Sequence, residues 1–278
     1  MKRTTYVMAA ALTLTVAACN QADTAATNDT ASEAASTDLA ALNGVWEADL
    51  ATVKFEGKPD EFLLQGGTYE CNTCIPPLTL AADGQFHAVA DRPYYDSMSV
   101  KVVDDRTVEF HRRKGDREVG NNSFQVSTDG KTMTNKFHDA TTPGSEFDGA
   151  TTLIRAAAAP AGAHAVSGQW TPEKVGSYTP EALRVSYQID GNKVTSTVQG
   201  QTYTAEIGGP AVAVQNDPGK TMVAVTRDGG GLKETYTRGG KQVSVSTIVP
   251  TADGQSVAIS SSDPRDGSKT SWTAKKRS

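Results

Sequence analysis

The chain has 278 residues, 37% of them hydrophobic and 21% charged, with a formal net charge of -5. That length suits one large or two ordinary domains. The acidic balance argues against nucleic acid and against a polybasic attachment to anionic lipid, so the partners must be sought elsewhere.

In chain order, residues 1–18 read as a signal peptide: a cationic start at Lys2 and Arg3, an apolar run from about Tyr6 to Val16, and small residues before Cys19. The run is too short to cross a bilayer of roughly 30 Å as a helix. Val16-Ala17-Ala18-Cys19 resembles the lipobox of bacterial lipoproteins. The resemblance implies diacylglycerol on the Cys19 sulfur, cleavage before Cys19 and acylation of the new N-terminus, an anchor to which each buried methylene contributes about 0.8 kcal/mol. Asn20, where an aspartate would mark inner-membrane retention, implies the outer membrane, with the protein facing the periplasm. Residues 19–41 are nearly all Ala, Thr, Ser, Asp and Asn; they read as the lipidated cysteine and a flexible tether. No later stretch approaches eighteen apolar residues, the length of a spanning helix.

The remainder carries an internal repeat. Gly44-Val45-Trp46 returns as Gly168-Gln169-Trp170, 124 residues on, and the same offset carries Met98 to Met222, Asp104 to Asp228 and Asp129-Gly130 to Asp253-Gly254. The expected organisation is a first β-domain over 42–155, an Ala/Pro/Gly linker over 156–166 and a second β-domain over 167–278. Within each copy, strands alternate with turns. In "EALRVSYQI" Leu183, Val185, Tyr187 and Ile189 share a face; "DGN" turns the chain into "KVTSTV"; "SMSVKVV", "TVEFHRR" and "NSFQVST" alternate likewise. Strands about every ten residues predict an all-β chain of two tandem antiparallel barrels or barrel-like domains.

"LNGVWEADL" and "VSGQWTPEKV" resemble the G-x-W opening of lipocalin-type barrels, and the middle of each copy is similar to uncharacterised bacterial envelope proteins with calycin-like folds. The resemblance implies that each tryptophan, Trp46 and Trp170, plugs the closed end of its barrel. It also implies a basic partner near the last strand, Arg155 in the first copy and Lys276 or Arg277 in the second.

Chemistry-bearing motifs are missing: no G-x-S-x-G, H-E-x-x-H, P-loop or dinucleotide fingerprint occurs. The Asp-Gly pairs are turn chemistry, and the four histidines are isolated in sequence. Cys71 and Cys74, in "YECNTCIPPL", have no histidine after them for haem attachment and no second pair for zinc. In an exported protein they read as a disulfide. The expected role is non-catalytic: an envelope lipoprotein holding a small apolar ligand or a partner protein, with no cofactor or metal. The alternative is a thiol-disulfide or metal-handling protein centred on Cys71 and Cys74.

Overall fold

A computed structural model describes residues 39–277; Cys19, the signal peptide and most of the tether lie outside them. Twenty-one strands follow in order: β1 (Gly44–Ala48), β2 (Lys54–Glu56), β3 (Asp60–Gln65), β4 (Thr68–Cys71), β5 (Leu78–Ala81), β6 (Asp83–Ala88), β7 (Ser97–Asp104), β8 (Thr107–Lys114), β9 (Arg117–Val126), β10 (Thr132–Asp139), β11 (Phe147–Ala157), β12 (Gly168–Tyr178), β13 (Arg184–Asp190), β14 (Lys193–Val198), β15 (Gln201–Glu206), β16 (Val212–Ala213), β17 (Met222–Asp228), β18 (Gly231–Arg238), β19 (Lys241–Pro250), β20 (Ser256–Asp263) and β21 (Ser268–Lys276). They form two nearly closed, barrel-shaped antiparallel sheets, as the alternation predicts.

The sheets do not divide where the repeat divides. One runs β5-β4-β3-β12-β11-β10-β9-β8-β7-β6; the other runs β15-β14-β13-β1-β21-β20-β19-β18-β17-β16, with β2 added on β21. The two G-x-W strands have therefore changed places. β1 inserts between β13 and β21 of the second barrel, and β12 inserts between β3 and β11 of the first. The boundaries 42–155 and 167–278 are corrected accordingly: the first barrel is the continuous stretch 60–178, and the second is 184–276 completed by an N-terminal segment. Ion pairs favour this placement. Glu47 on β1 accepts from Arg184 at 3.2 Å and from Arg277, both in the second barrel.

Each G-x-W strand closes one end of its barrel by the same device. Trp46 donates from Nε1 to the Leu42 carbonyl at 2.8 Å, and Trp170 to the Val166 carbonyl at 2.9 Å. One residue later, Asn43 Oδ1 accepts from the Ile189 amide and Ser167 Oγ from the Leu64 amide. Leu39, Leu42 and Val166 are buried, so the tether ends before Leu39 and the 156–166 linker is packed at its C-terminal end. Their apolar side chains supply burial that the Ala-rich flanks lack. The glycine of G-x-W is required on both strands. Gly44 and Gly168 have φ of +133° and +109°, and a Cβ would meet Lys276 Cε at 2.9 Å and the Ala157 carbonyl oxygen at 2.6 Å.

At the ends away from the tryptophans, which we call the mouths, the barrels meet. Arg238 donates to Tyr94 Oη at 2.6 Å and lies over that ring, Gln201 donates to Thr142 at 3.3 Å, and Gly200 packs on Ser145. This geometry makes the exchange feasible, because β1 and β12 both run from tryptophan end to mouth and leave beside the other barrel.

Candidate functional site

The basic residues expected beneath the tryptophans are in place, but across the exchange. The Arg155 guanidinium lies 4.0 Å from the Trp170 ring and the Lys276 ammonium 5.3 Å from the Trp46 ring. Arg155 also donates to the carbonyls of Gly130, Ser167 and Ala165, and burial lowers its pKa. Arg277 takes no part in this stacking and pairs with Glu47 instead. These four groups close barrel ends; they hold no reactive arrangement.

Cys71 and Cys74 are joined as a disulfide, with their Cα atoms 5.4 Å apart, at the mouth of the first barrel. Cys71 is buried, and Cys74 packs on the same core. Arg92 reaches over the loop that follows, donating to the carbonyls of Ile75, Pro76 and Pro77. Two residues on, Tyr94 makes the contact with Arg238. The pair thus clamps the 72–77 loop, to which Arg92 ties the 89–96 loop that touches the second barrel through Tyr94. Replacing both cysteines by alanine is expected to cost about 2 kcal/mol from loop entropy. Amide exchange should quicken over 72–77 and 89–96 only; unchanged exchange there would show that the clamp restrains nothing.

The histidines are dispersed as the sequence suggests. His87, His111 and His138 sit on strands, partly exposed, each within 3.0 Å of a carboxylate, and His164 contacts the Asp104 carbonyl. Among the described residues no group of three His, Cys, Asp or Glu is placed to hold a metal ion. Two shallow depressions, of about 550 and 390 Å³, lie at the tryptophan end of the first barrel; Leu64, Val102 and His164 line one, Ile154 and Ala156 the other.

The distinctive chemistry lies inside the second barrel. Glu234 on β18 is 3% exposed. Tyr203 Oη donates to its Oε1 at 2.5 Å and Tyr236 Oη to its Oε2 at 2.8 Å; Tyr187 also hydrogen-bonds to it and to Ser196. Burial raises the Glu234 pKa, opposed by the bonds from Tyr203, Tyr236 and Tyr187. Burial, then the nearby Glu234 charge, lifts Tyr187, Tyr203 and Tyr236 well above the ordinary phenol range. Beside them Ser246 and Ser261 bond across β19 and β20 at 3.1 Å, and Ser244 Oγ, buried opposite Tyr236, has no partner among the described residues.

Strand register gives the matching positions in the first barrel. Phe62 faces Gly168 as Tyr187 faces Gly44; Cys71 then matches Ser196, and Leu78 matches Tyr203. Counted from the hairpins that open β8 and β18, Phe110 matches Glu234 and Arg112 matches Tyr236. In the first barrel this level is filled by rings: Phe110 lies 5.1 Å from Tyr69 and 5.2 Å from Phe124, and Phe62 lies 5.3 Å from Phe124. Its buried charged side chains are Arg112, whose pKa burial lowers, and Asp139 at the mouth end of β10. Arg112 is thus buried while residues 113–118, around the β8–β9 hairpin tip, are exposed.

No protein family, curated protein or solved structure matches the chain. The asymmetry between its own two barrels is thus the comparison available, and it singles out the Glu234 layer. Sequence reading missed this layer because its members lie on β13, β15 and β18 without motif spacing. The available signal was a carboxylate on the apolar face of "LKETYT", where Leu232, Glu234 and Tyr236 alternate.

Proposed function

We propose that this protein is a lipid-anchored envelope lipoprotein with a non-catalytic binding role, in which the second barrel takes a small ligand and the first is a filled structural partner. One observation carries the reading: at matched positions the first barrel packs Phe62, Leu78 and Phe110, whereas the second places Tyr187, Tyr203 and Glu234 among serines. Such a layer suits the polar head of a ligand. Below it, Leu232, Ile248 and Ile259 offer an apolar floor for the rest. Catalysis is not part of the proposal.

On this reading the anchor at Cys19 joins the second barrel through the segment that begins at Leu39. Replacing Cys19 by serine should abolish processing and move the protein from the membrane fraction to the soluble periplasm. Unchanged fractionation would remove the anchor from the proposal. The ligand is tested by native mass spectrometry of protein purified from its own membrane: a bound mass that is lost in a Glu234 variant supports the reading, and a clean apo mass opposes it.

A further inference from the structure

The polar level of the second barrel sets a buried carboxyl group among phenols and hydroxyls with no buried cation on the same strands. The buried polar side chains on β13 to β21 include Glu234, Ser196, Ser244, Ser246, Ser261 and Thr270, and no Lys, Arg or His. A buried carboxylate without a cation is costly, and three phenols offset that cost only in part. Each phenol has one proton, and those of Tyr203 and Tyr236 are already given to Glu234. Their oxygens therefore offer anything else only lone pairs. Ser244 is an independent observation: the residue is 5% exposed and shares a face with Ser246, and its hydroxyl meets no partner among the described residues.

A cationic group with N–H donors answers both the buried carboxylate and the Ser244 oxygen. A primary ammonium has three N–H donors, and its bond to a carboxylate is charge-assisted. Toward the tryptophan end, Leu232, Ile248, Val225 and Ile259 are buried in one packed apolar core, so an alkyl chain taken up there must be short and must repack them. We propose that the second barrel binds a small alkylammonium ion, with Glu234 as its counter-charge and Ser244 Oγ as a further acceptor. This rests on the reading of the second barrel as a ligand site. The cover is the Tyr94 loop of the first barrel, which packs on Gly219 and Arg238 at the mouth.

The test uses the whole mature chain in detergent, titrated calorimetrically with n-butylammonium chloride, 1-butanol and butyrate. The ammonium should bind saturably and more tightly than the alcohol, with no binding of butyrate. Glu234→Gln, which keeps shape and an acceptor oxygen, should weaken the ammonium by about tenfold to a hundredfold. Ser244→Ala should weaken it severalfold while leaving the empty protein as stable as before or more so, because it removes an unpartnered buried hydroxyl. That combination separates a ligand contact from a structural one. Equal binding of alcohol and ammonium, or undiminished binding by Glu234→Gln, would overturn the ammonium assignment and leave the barrel reading standing. Failure of all three probes, together with a clean apo mass of the native protein, would overturn both.

Discussion

A fragment of residues 57–179 should fold by itself into a ten-stranded barrel, and a chain that begins at residue 57 should lose the second barrel while keeping the first. All ten strands of the first sheet lie between Asp60 and Tyr178, and so do Trp170, its cap at Val166 and its partner Arg155. The second barrel instead depends on Leu39, Leu42 and Trp46, the latter two 0% exposed, delivered from the far side of the first. Removing a buried tryptophan side chain alone costs about 3–5 kcal/mol, against a total of about 5–15 kcal/mol for a typical domain. Without β1, β13 and β21 also present unpaired edges to solvent. Calorimetry of the intact chain, 57–179 and 57–278 checks this. The shortest piece should show one cooperative transition, and 57–278 should show that transition alone. A peptide of residues 39–56 added in trans should restore the second. If the piece 42–155 gave a cooperative transition and 57–179 did not, the strand exchange would be refuted.

The exchange marks where sequence reading stops. Alternation along "TVEFHRR" or "SYQI" is a local property, and it specifies strands and their buried faces. Turn residues at Asp104, Asp129 and Asp253 fix hairpins between neighbours for the same reason. Which barrel a G-x-W strand joins is decided between residues more than a hundred positions apart, such as Glu47 with Arg184 and Arg277, and no local pattern encodes it. The repeat misleads here, since it aligns β1 with the copy it precedes rather than the sheet it completes.

Register fails for a smaller reason. Met98 and Met222 coincide in sequence, yet Met98 is 0% exposed and Met222 37% exposed. An irregularity between Val102 and Asp104 adds one residue to β7, so Met98 faces Arg112 while Val223 takes the equivalent place opposite Tyr236. One residue is enough to turn a side chain from core to solvent. The same shift places Cys71 on Ser196 rather than on Thr195, as the fixed offset would have it.

Glu234 should give the second barrel a pH dependence opposite in sign to that of the surface carboxylates. Its folded pKa is raised above the model-compound value of 4.5, chiefly by burial. The folded state therefore holds this proton over a range in which the unfolded chain has released it. Stability then falls as pH rises from 4.5 to the folded value, by at most about 1.4 kcal/mol per pH unit. The groups that bond to the carboxyl are phenols on β13, β15 and β18, whose pKa values are themselves raised, so none of them titrates in that window. Glu47, Asp49, Glu61 and Asp83 have lowered values, held down by their hydrogen-bonding partners, and their contributions are lost only as pH falls below the same point. The two effects occupy opposite sides of pH 4.5, which makes the buried group separable. Denaturation midpoints of the second-barrel transition, measured from about pH 5 upward, should decline for the natural chain more than for Glu234→Gln. Parallel curves would mean that Glu234 is ionised in the fold as readily as in water, and that the three phenols offset its burial completely. In that case the carboxylate would need no external counter-charge, so this one comparison bears on the stability of the barrel and on its chemistry together.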